Sequence, residues 1–482
     1  MEGGSTFSKK DPPKDGYNIV YLKDGEICVS YRKYIEKTAR SFILKKQIPS
    51  SCPFPQIEIL SPTKNKTVKT EAFAAELKIR SNDIKITKAR YNIDGEMEGE
   101  MTVKAKKAIS EISTDNLCNG AHFIRFTLED ENGEKYYRSC EFIIERNNRT
   151  DEAGALWRFQ MKGASKASPL VTEKAVYAGA NDGVFYALDK KTGQLIWTFD
   201  AGAEILTSAK KSHGLILFAA GNGKFFALKP DGTMKWSYQH PCAIYASPVT
   251  DEDTVYAGAN DAAVIALDIE TGKKKWQNNE ARYSVESSPF VTGEHIYYGA
   301  WDGYVYCLDK NNGNTLWKKP GPRNQDRVIR YYGPADDSPI VAGNALYITD
   351  RGYTLGKYGL NGEYKAKLAG GCSAIGCSEN SDAMYLRFYK DPLIKIDLEG
   401  ETIWESDVVC GRVPVSPLEK NGKLYVCTNS GRLHVINAET GETMKQYQAT
   451  PKLYVMSRPS VENDIVYVTG MDGSLTAIDT GE

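Results

Sequence analysis

The sequence predicts an all-β protein dominated by an eight-bladed propeller, and three observations lead there. Six of the seven tryptophans recur at a near-constant spacing, a Ser-Pro pair recurs in step with them, and the residues between form short apolar runs broken by glycine turns. Trp157, Trp197, Trp236, Trp276, Trp317 and Trp404 stand 40, 39, 40, 41 and then 87 residues apart, the last gap holding two repeats with the middle Trp missing. Ser168-Pro169, Ser247-Pro248, Ser288-Pro289, Ser338-Pro339 and Ser416-Pro417 keep the same period, with Ser208, Ser378 and Arg458-Pro459 read as holding the place in other copies. A period near 40 kept over eight copies marks a repeat fold.

Each copy reads as four antiparallel strands. "AVYAGA", "GVFYALD" and "QLIWTFD" are apolar or alternating runs, with "NDG" and "KTG" as turns whose glycine supplies positive φ. The Ser-Pro segment adds the fourth strand, and four-stranded units at this spacing match propeller blades. The last copy, ending "MDGSLTAIDTGE", stops before its Trp-bearing strand, while "ALWRFQM" (155–161) stands ahead of the first Ser-Pro with no blade of its own. The start of the repeat region is therefore expected to supply the last strand of the last blade and close the ring, which removes an exposed sheet edge. The six repeat tryptophans are read as packing residues between blades.

The rest of the chain divides into smaller pieces. Residues 51–146 alternate as strands, with "ENGE" as a turn between "HFIRFTLED" and "EFIIE", and predict a β-sandwich. Residues 147–154 read as a linker to the propeller at 155–482, and "DGYNIVYLKDGEICVSYRKY" within residues 1–50 reads as a hairpin. The formal net charge of -1 gives no global pull toward nucleic acid, and no apolar run is long enough for a membrane helix. Ten scattered cysteines and an N-terminus without an apolar leader point to a reducing compartment, the cytoplasm rather than the exterior, unless further chain precedes residue 1.

The phrase A-x-D-x-x-T-G-x-x-x-W, matched at 187–197 and 266–276, resembles the blade signature of the pyrroloquinoline-quinone-type propellers. That superfamily includes quinone-dependent dehydrogenases and cofactor-free scaffolds such as the lipoprotein of the outer-membrane barrel-assembly machinery. The dehydrogenases carry an adjacent Cys-Cys pair and long inter-blade insertions; no adjacent pair stands here and the blades are mostly bare, so no cofactor is expected. "Y-x-I-D-G" (91–95), followed by "L-x-x-G-x-H-x-I-x-F" (117–126), resembles immunoglobulin-like modules appended to multidomain hydrolases. His122 fills that pattern's usual histidine, read as a packing residue. The front hairpin resembles the closing hairpin of calcineurin-like metallophosphoesterases through Gly16, Tyr17, Asp24, Gly25, Tyr31 and Arg32. That domain order occurs in bacterial proteins, but none of the family's two-metal motifs is present, so no metal site is expected in this chain.

One inter-blade connection, "KKPGPRNQDRVIRYYGPADDSP", exceeds the usual spacing. With neighbouring connections it gathers Arg282, Tyr283, Arg327, Arg330, Tyr331, Tyr332, Arg412, Tyr454 and Arg458 toward one propeller mouth. Arginine forks and tyrosine hydroxyls there suit a protein partner or an anionic or sugar-like ligand. The chain is therefore expected to be non-catalytic: the binding or scaffolding region of a metallophosphoesterase-type protein. A free-standing interaction scaffold of the barrel-assembly kind comes second, and a quinone-dependent dehydrogenase last.

Overall fold

The computed structural model describes residues 16–23, 26–33, 40–42, 55–80, 84–94, 97–115, 117, 120–145, 155–411, 413–450 and 455–481. From residue 155 onward the described chain forms eight four-stranded antiparallel sheets, the blades of a propeller. Blade one runs Leu170–Val171, Ala175–Gly179, Val184–Asp189 and Leu195–Asp200 in sheet order, and six more follow the same plan. The eighth takes Ser460–Glu462, Ile465–Thr469 and Ser474–Asp479 from the end of the chain and Ala155–Gln160 from the start of the repeats, Phe159 pairing with Leu475. Second strands such as Ala175–Gly179 and Leu215–Ala219 are buried throughout, because neighbouring blades cover both of their faces. Outer strands such as Met234–Gln239 are covered on one face and alternate.

The repeated tryptophans sit at the blade junctions. Trp157 donates its indole N–H to Lys190 O at 2.9 Å, Trp236 to Ile269 O at 2.8 Å and Trp404 to Ala438 O at 3.2 Å, each in the following blade. The indole rests on that blade's turn glycine: a Cβ on Gly193 would lie 2.5 Å from Trp157, and one on Gly441 2.7 Å from Trp404. Both glycines also have positive φ, so the "T-G" of the repeat serves its own turn and the preceding blade's ring. Blade five, without Trp, sets Leu368 against Gly400, and blade seven reaches Gly481 O with Lys445 Nζ.

Serine hydroxyls line the channel. Ser168 N–H donates to Ser208 Oγ at 2.9 Å, Ser208 N–H to Ser247 Oγ at 2.8 Å, and Arg458 N–H to Ser168 Oγ at 3.1 Å. Ser378 does not join them. It lies just past its blade's inner strand, Cys372–Cys377, where its hydroxyl bonds Asp382 and Ala383. The turn in blade six is longer, so spacing alone misplaces this serine.

Ahead of the propeller, strands Gln56–Ser61, Ala72–Arg80, Lys107–Ser113, Met97–Lys104, Ile86–Ile93, Gly120–Asp130, Lys135–Ile144 and Lys66–Val68 pair in that order. They enclose one core holding Leu77, Ile93, Phe126 and Phe142. This module touches the propeller through a buried polar knot. Asp94, at φ 57, accepts from Phe123 N–H at 2.8 Å, lies 2.6 Å from His122 Nδ1 and takes Arg432 Nη2 of blade seven at 3.3 Å. All three side chains are at most 3% exposed. Further forward, Gly16–Lys23 and Glu26–Lys33 pair antiparallel and Arg40–Phe42 joins them, while Asp24, Gly25 and the linker 147–154 lie outside the described residues.

Candidate functional site

The long connection between blades four and five is held in shape by its own buried polar residues. Asn324, 1% exposed, donates to Gly303 O at 3.1 Å and accepts from Ile329 N–H at 3.0 Å. Gln325 donates to the carbonyls of Pro320 and Gly321 and to the Tyr358 hydroxyl. Asp350, its carboxyl raised by burial, accepts from the N–H groups of Arg323, Gly352 and Thr354, tying the connection to a turn of blade five. These anchors present Ile329 and Tyr331 to solvent, 43% and 59% exposed.

Around them, arginines and aromatic rings stack. Arg330 lies 4.1 Å from the Tyr283 ring, Arg323 4.4 Å from Tyr332, and Arg351 4.3 Å from Trp301 and 5.7 Å from Tyr331. Such contacts hold the long side chains in place and leave guanidinium edges free to donate. Arg351 is steadied further by Asp336 at 3.2 Å. The result is an ordered patch of exposed rings and cations, the residue types that dominate protein interface hot spots.

The structure thus brings together Tyr283, Arg330, Tyr331 and Tyr332. Arg282 follows, exposed, its N–H on Asp302, and Arg327 is exposed on the same connection. Arg458 is set apart in the channel, where Nη2 reaches Pro417 O at 3.3 Å. Arg412 and Tyr454 lie outside the described residues. The sequence reading missed Trp301, Arg323 and Arg351. Trp301 had left a signal, being the seventh tryptophan, off the 40-residue spacing and inside a "WDG" turn where blade one has "NDG".

A cavity of about 450 Å³ lies in the channel. Its hydroxyl lining meets Lys166 and Arg458, and Asp337 is buried beside it. Asp337 accepts from Ile375 N–H, Ser416 Oγ and Ser338 N–H, yet burial pushes its pKa up to about 6. Among the described residues no helix is long and apolar enough to cross a membrane.

Known proteins share this architecture. Outer membrane protein assembly factor BamB of Burkholderia pseudomallei is 30% identical over 114 residues, 24% of this chain and 30% of that protein. BamB of Yersinia pestis is 23% identical over 310 residues, 63% of this chain and 68% of that protein. The chain thus spans under a third of the first relative's length. The crystal structure of BamB from Moraxella catarrhalis superposes with a TM-score of 0.54 at 18% identity, covering 68% of this chain and 98% of that one.

These outer membrane assembly factors overturn the cytoplasmic expectation. It rested on a missing leader and unpaired cysteines, and neither reports a compartment. Cys307, Cys372, Cys410 and Cys427 are thiols buried in packed blades, where burial pushes the Cys427 pKa up to about 12 and keeps oxidants away. The family model for outer membrane protein assembly factor BamB matches residues 150–319, 211–357 and 391–482, more than half of the chain, and the protein belongs to this PQQ_2 family of propellers.

Proposed function

We propose that the protein is a non-catalytic interaction scaffold whose propeller captures a partner protein on the arginine–aromatic patch between blades four and five. The observation that carries this reading is the ordered display of Tyr283, Ile329 and Tyr331, each more than 40% exposed, beside stacked Arg330 and Arg351. Exposed rings held by cation–π contacts cost the free protein little conformational entropy to use, which favours association. The relatives named for outer membrane protein assembly support a partner of the protein class. In this reading the strand from 155–160 closes the ring, and residues 51–146 are an immunoglobulin-like module that braces one side of it.

Pull-down with immobilised protein from extracts of the native cell tests the proposal. Arg330→Ala combined with Tyr331→Ala is expected to lower partner recovery at least tenfold while the melting temperature stays put. Unchanged recovery would remove the patch from the interface.

A second reading rests on the paired strands Gly16–Lys23 and Glu26–Lys33. They suit the end of a metallophosphoesterase domain, which would make this chain the binding region of a larger hydrolase. The mass of the native polypeptide, read with an antibody to the propeller, separates the two: a band near 53.5 kDa opposes the larger parent.

A further inference from the structure

Two blade junctions are filled near the outer edge by a pair of aromatic rings. Tyr186 of blade one meets Phe159 with ring centres 5.9 Å apart, and Phe226 of blade two meets Phe199 at 5.2 Å. Cross-strand register finds the same position in blade seven. Tyr186 pairs with Thr198, Phe226 with Ser237 and His434 with Gln446, in each case the residue after the repeat's tryptophan position. The opposing position, two residues past Trp404, holds Ser406, as Phe159 stands two past Trp157 and Phe199 two past Trp197. An imidazole thus stands where blades one and two carry a ring, and opposite it the outer strand of blade six is irregular, Ile394 pairing with Glu405 and Pro392 with Val409.

A cavity of about 720 Å³ opens there, lined by His434, Asp407, Val408 and Met444 and roofed by Ile93 and Met97 of the front module. His434 is 6% exposed, and neither ring nitrogen has a hydrogen-bond partner among the described residues. Burial and the neighbouring Arg432 charge push its pKa down to about 4, so at neutral pH the ring offers one donor and one bare acceptor. Arg432 is already paired with Asp94, and the cavity wall carries charges of both signs, Glu98 and Asp407 beside Lys445. Apolar walls from Ile93, Val408, Met97 and Met444 suit the faces of a ring, thioethers especially.

We propose that this slot binds a neutral phenolic ring whose hydroxyl hydrogen-bonds to His434. The repeat itself indicates the shape: at this position blades one and four carry Tyr186 and Tyr306, phenols whose hydroxyls bond to Asp182 and Asp302. Blade seven carries His434 at this position, on the wall of the cavity. The inference is independent of the patch between blades four and five.

Phenol is titrated into the full chain while the five histidine side chains are followed by NMR, with N-acetyltyrosinamide and benzene in parallel. The expected result is a saturable shift of the His434 resonance alone, with binding weakened at least tenfold by His434→Phe. That variant restores a ring at the position and so protects folding. A shift with phenol but not with the tyrosine amide assigns the slot to free small phenols; a shift with both admits a partner's tyrosine side chain. Absence of a saturable His434 shift, equal binding of benzene, or unchanged phenol affinity in His434→Phe would each overturn the proposal.

Discussion

Trp157 and Gly193 are halves of one contact, although they lie in different blades and the sequence presents them as separate marks of the repeat. Trp157→Ala is expected to cost about 3–5 kcal/mol, read as a fall in denaturant midpoint, because it removes a 9%-exposed indole and its hydrogen bond to Lys190. Gly441→Ala should destabilise as well, since its φ of 80 and the nearby Trp404 both resist a Cβ. Two buried titrating groups act in opposite directions. Asp337, raised to about 6, binds a proton more tightly in the folded chain, so its contribution to stability falls as pH rises from about 4 through 6. His434, lowered to about 4, does the reverse and contributes stability that rises between pH 4 and its unfolded value near 6.5. Each amounts to on the order of 3 kcal/mol, so they offset in the native protein. Asp337→Asn is expected to unmask a stability that climbs with pH across this window, and His434→Phe one that declines. Urea unfolding at pH 4.5 and 7.5 measures both, and parallel slopes would contradict the assignment. Neither group was legible in the sequence, because their burial depends on which blades meet around them.

At the scale of elements, the connection 321–337 behaves as a built platform rather than a slack loop. Asn324→Ala removes its hydrogen bonds to Gly303 and Ile329, and is expected to weaken partner capture nearly as much as Tyr331→Ala does. Faster hydrogen exchange confined to residues 322–332 would accompany it. The sequence revealed this element by its length and its arginines and tyrosines, but not Trp301 or Arg351, which arrive from turns in two other strand pairs. The front module shows the same limit. Its "Y-x-I-D-G" and His122 were visible as a motif, whereas their joint bond to Arg432, some 300 residues on, was not. Asp94→Asn should cost about 3–5 kcal/mol of docking, because it removes a buried carboxylate that faces the Arg432 charge. Limited proteolysis would then cut the segment 146–154 faster while both halves stay folded.

Over the whole molecule, the sequence was most informative where the structure repeats. Eight similar units leave eight imprints of the same packing rule, and Lys445 was legible where a tryptophan belongs, whereas Leu368 was masked by the long connection ahead of it. What occurs once, such as the cavity beside His434 or the knot at Asp94, leaves a single trace with nothing to average against. Deleting residues 155–160 would strip the outer strand from Ser474–Asp479 and expose its edge. The truncated chain is expected to elute earlier in size-exclusion chromatography than the full chain, and a synthetic 155–160 peptide should reverse that shift.

The pairing of Ala155–Gln160 with Ser474–Asp479 also sets a timetable for synthesis. The first strand leaves the ribosome with nothing to pair against, and 313 residues (161–473) must be made before its partner exists. At ~5–20 residues per second that is roughly 15–60 s. For that interval the nascent chain carries an unsatisfied strand between the front module and a growing row of blades. A holding chaperone, or an export route that postpones folding until the chain is whole, would spare it from pairing with a neighbour on the same messenger.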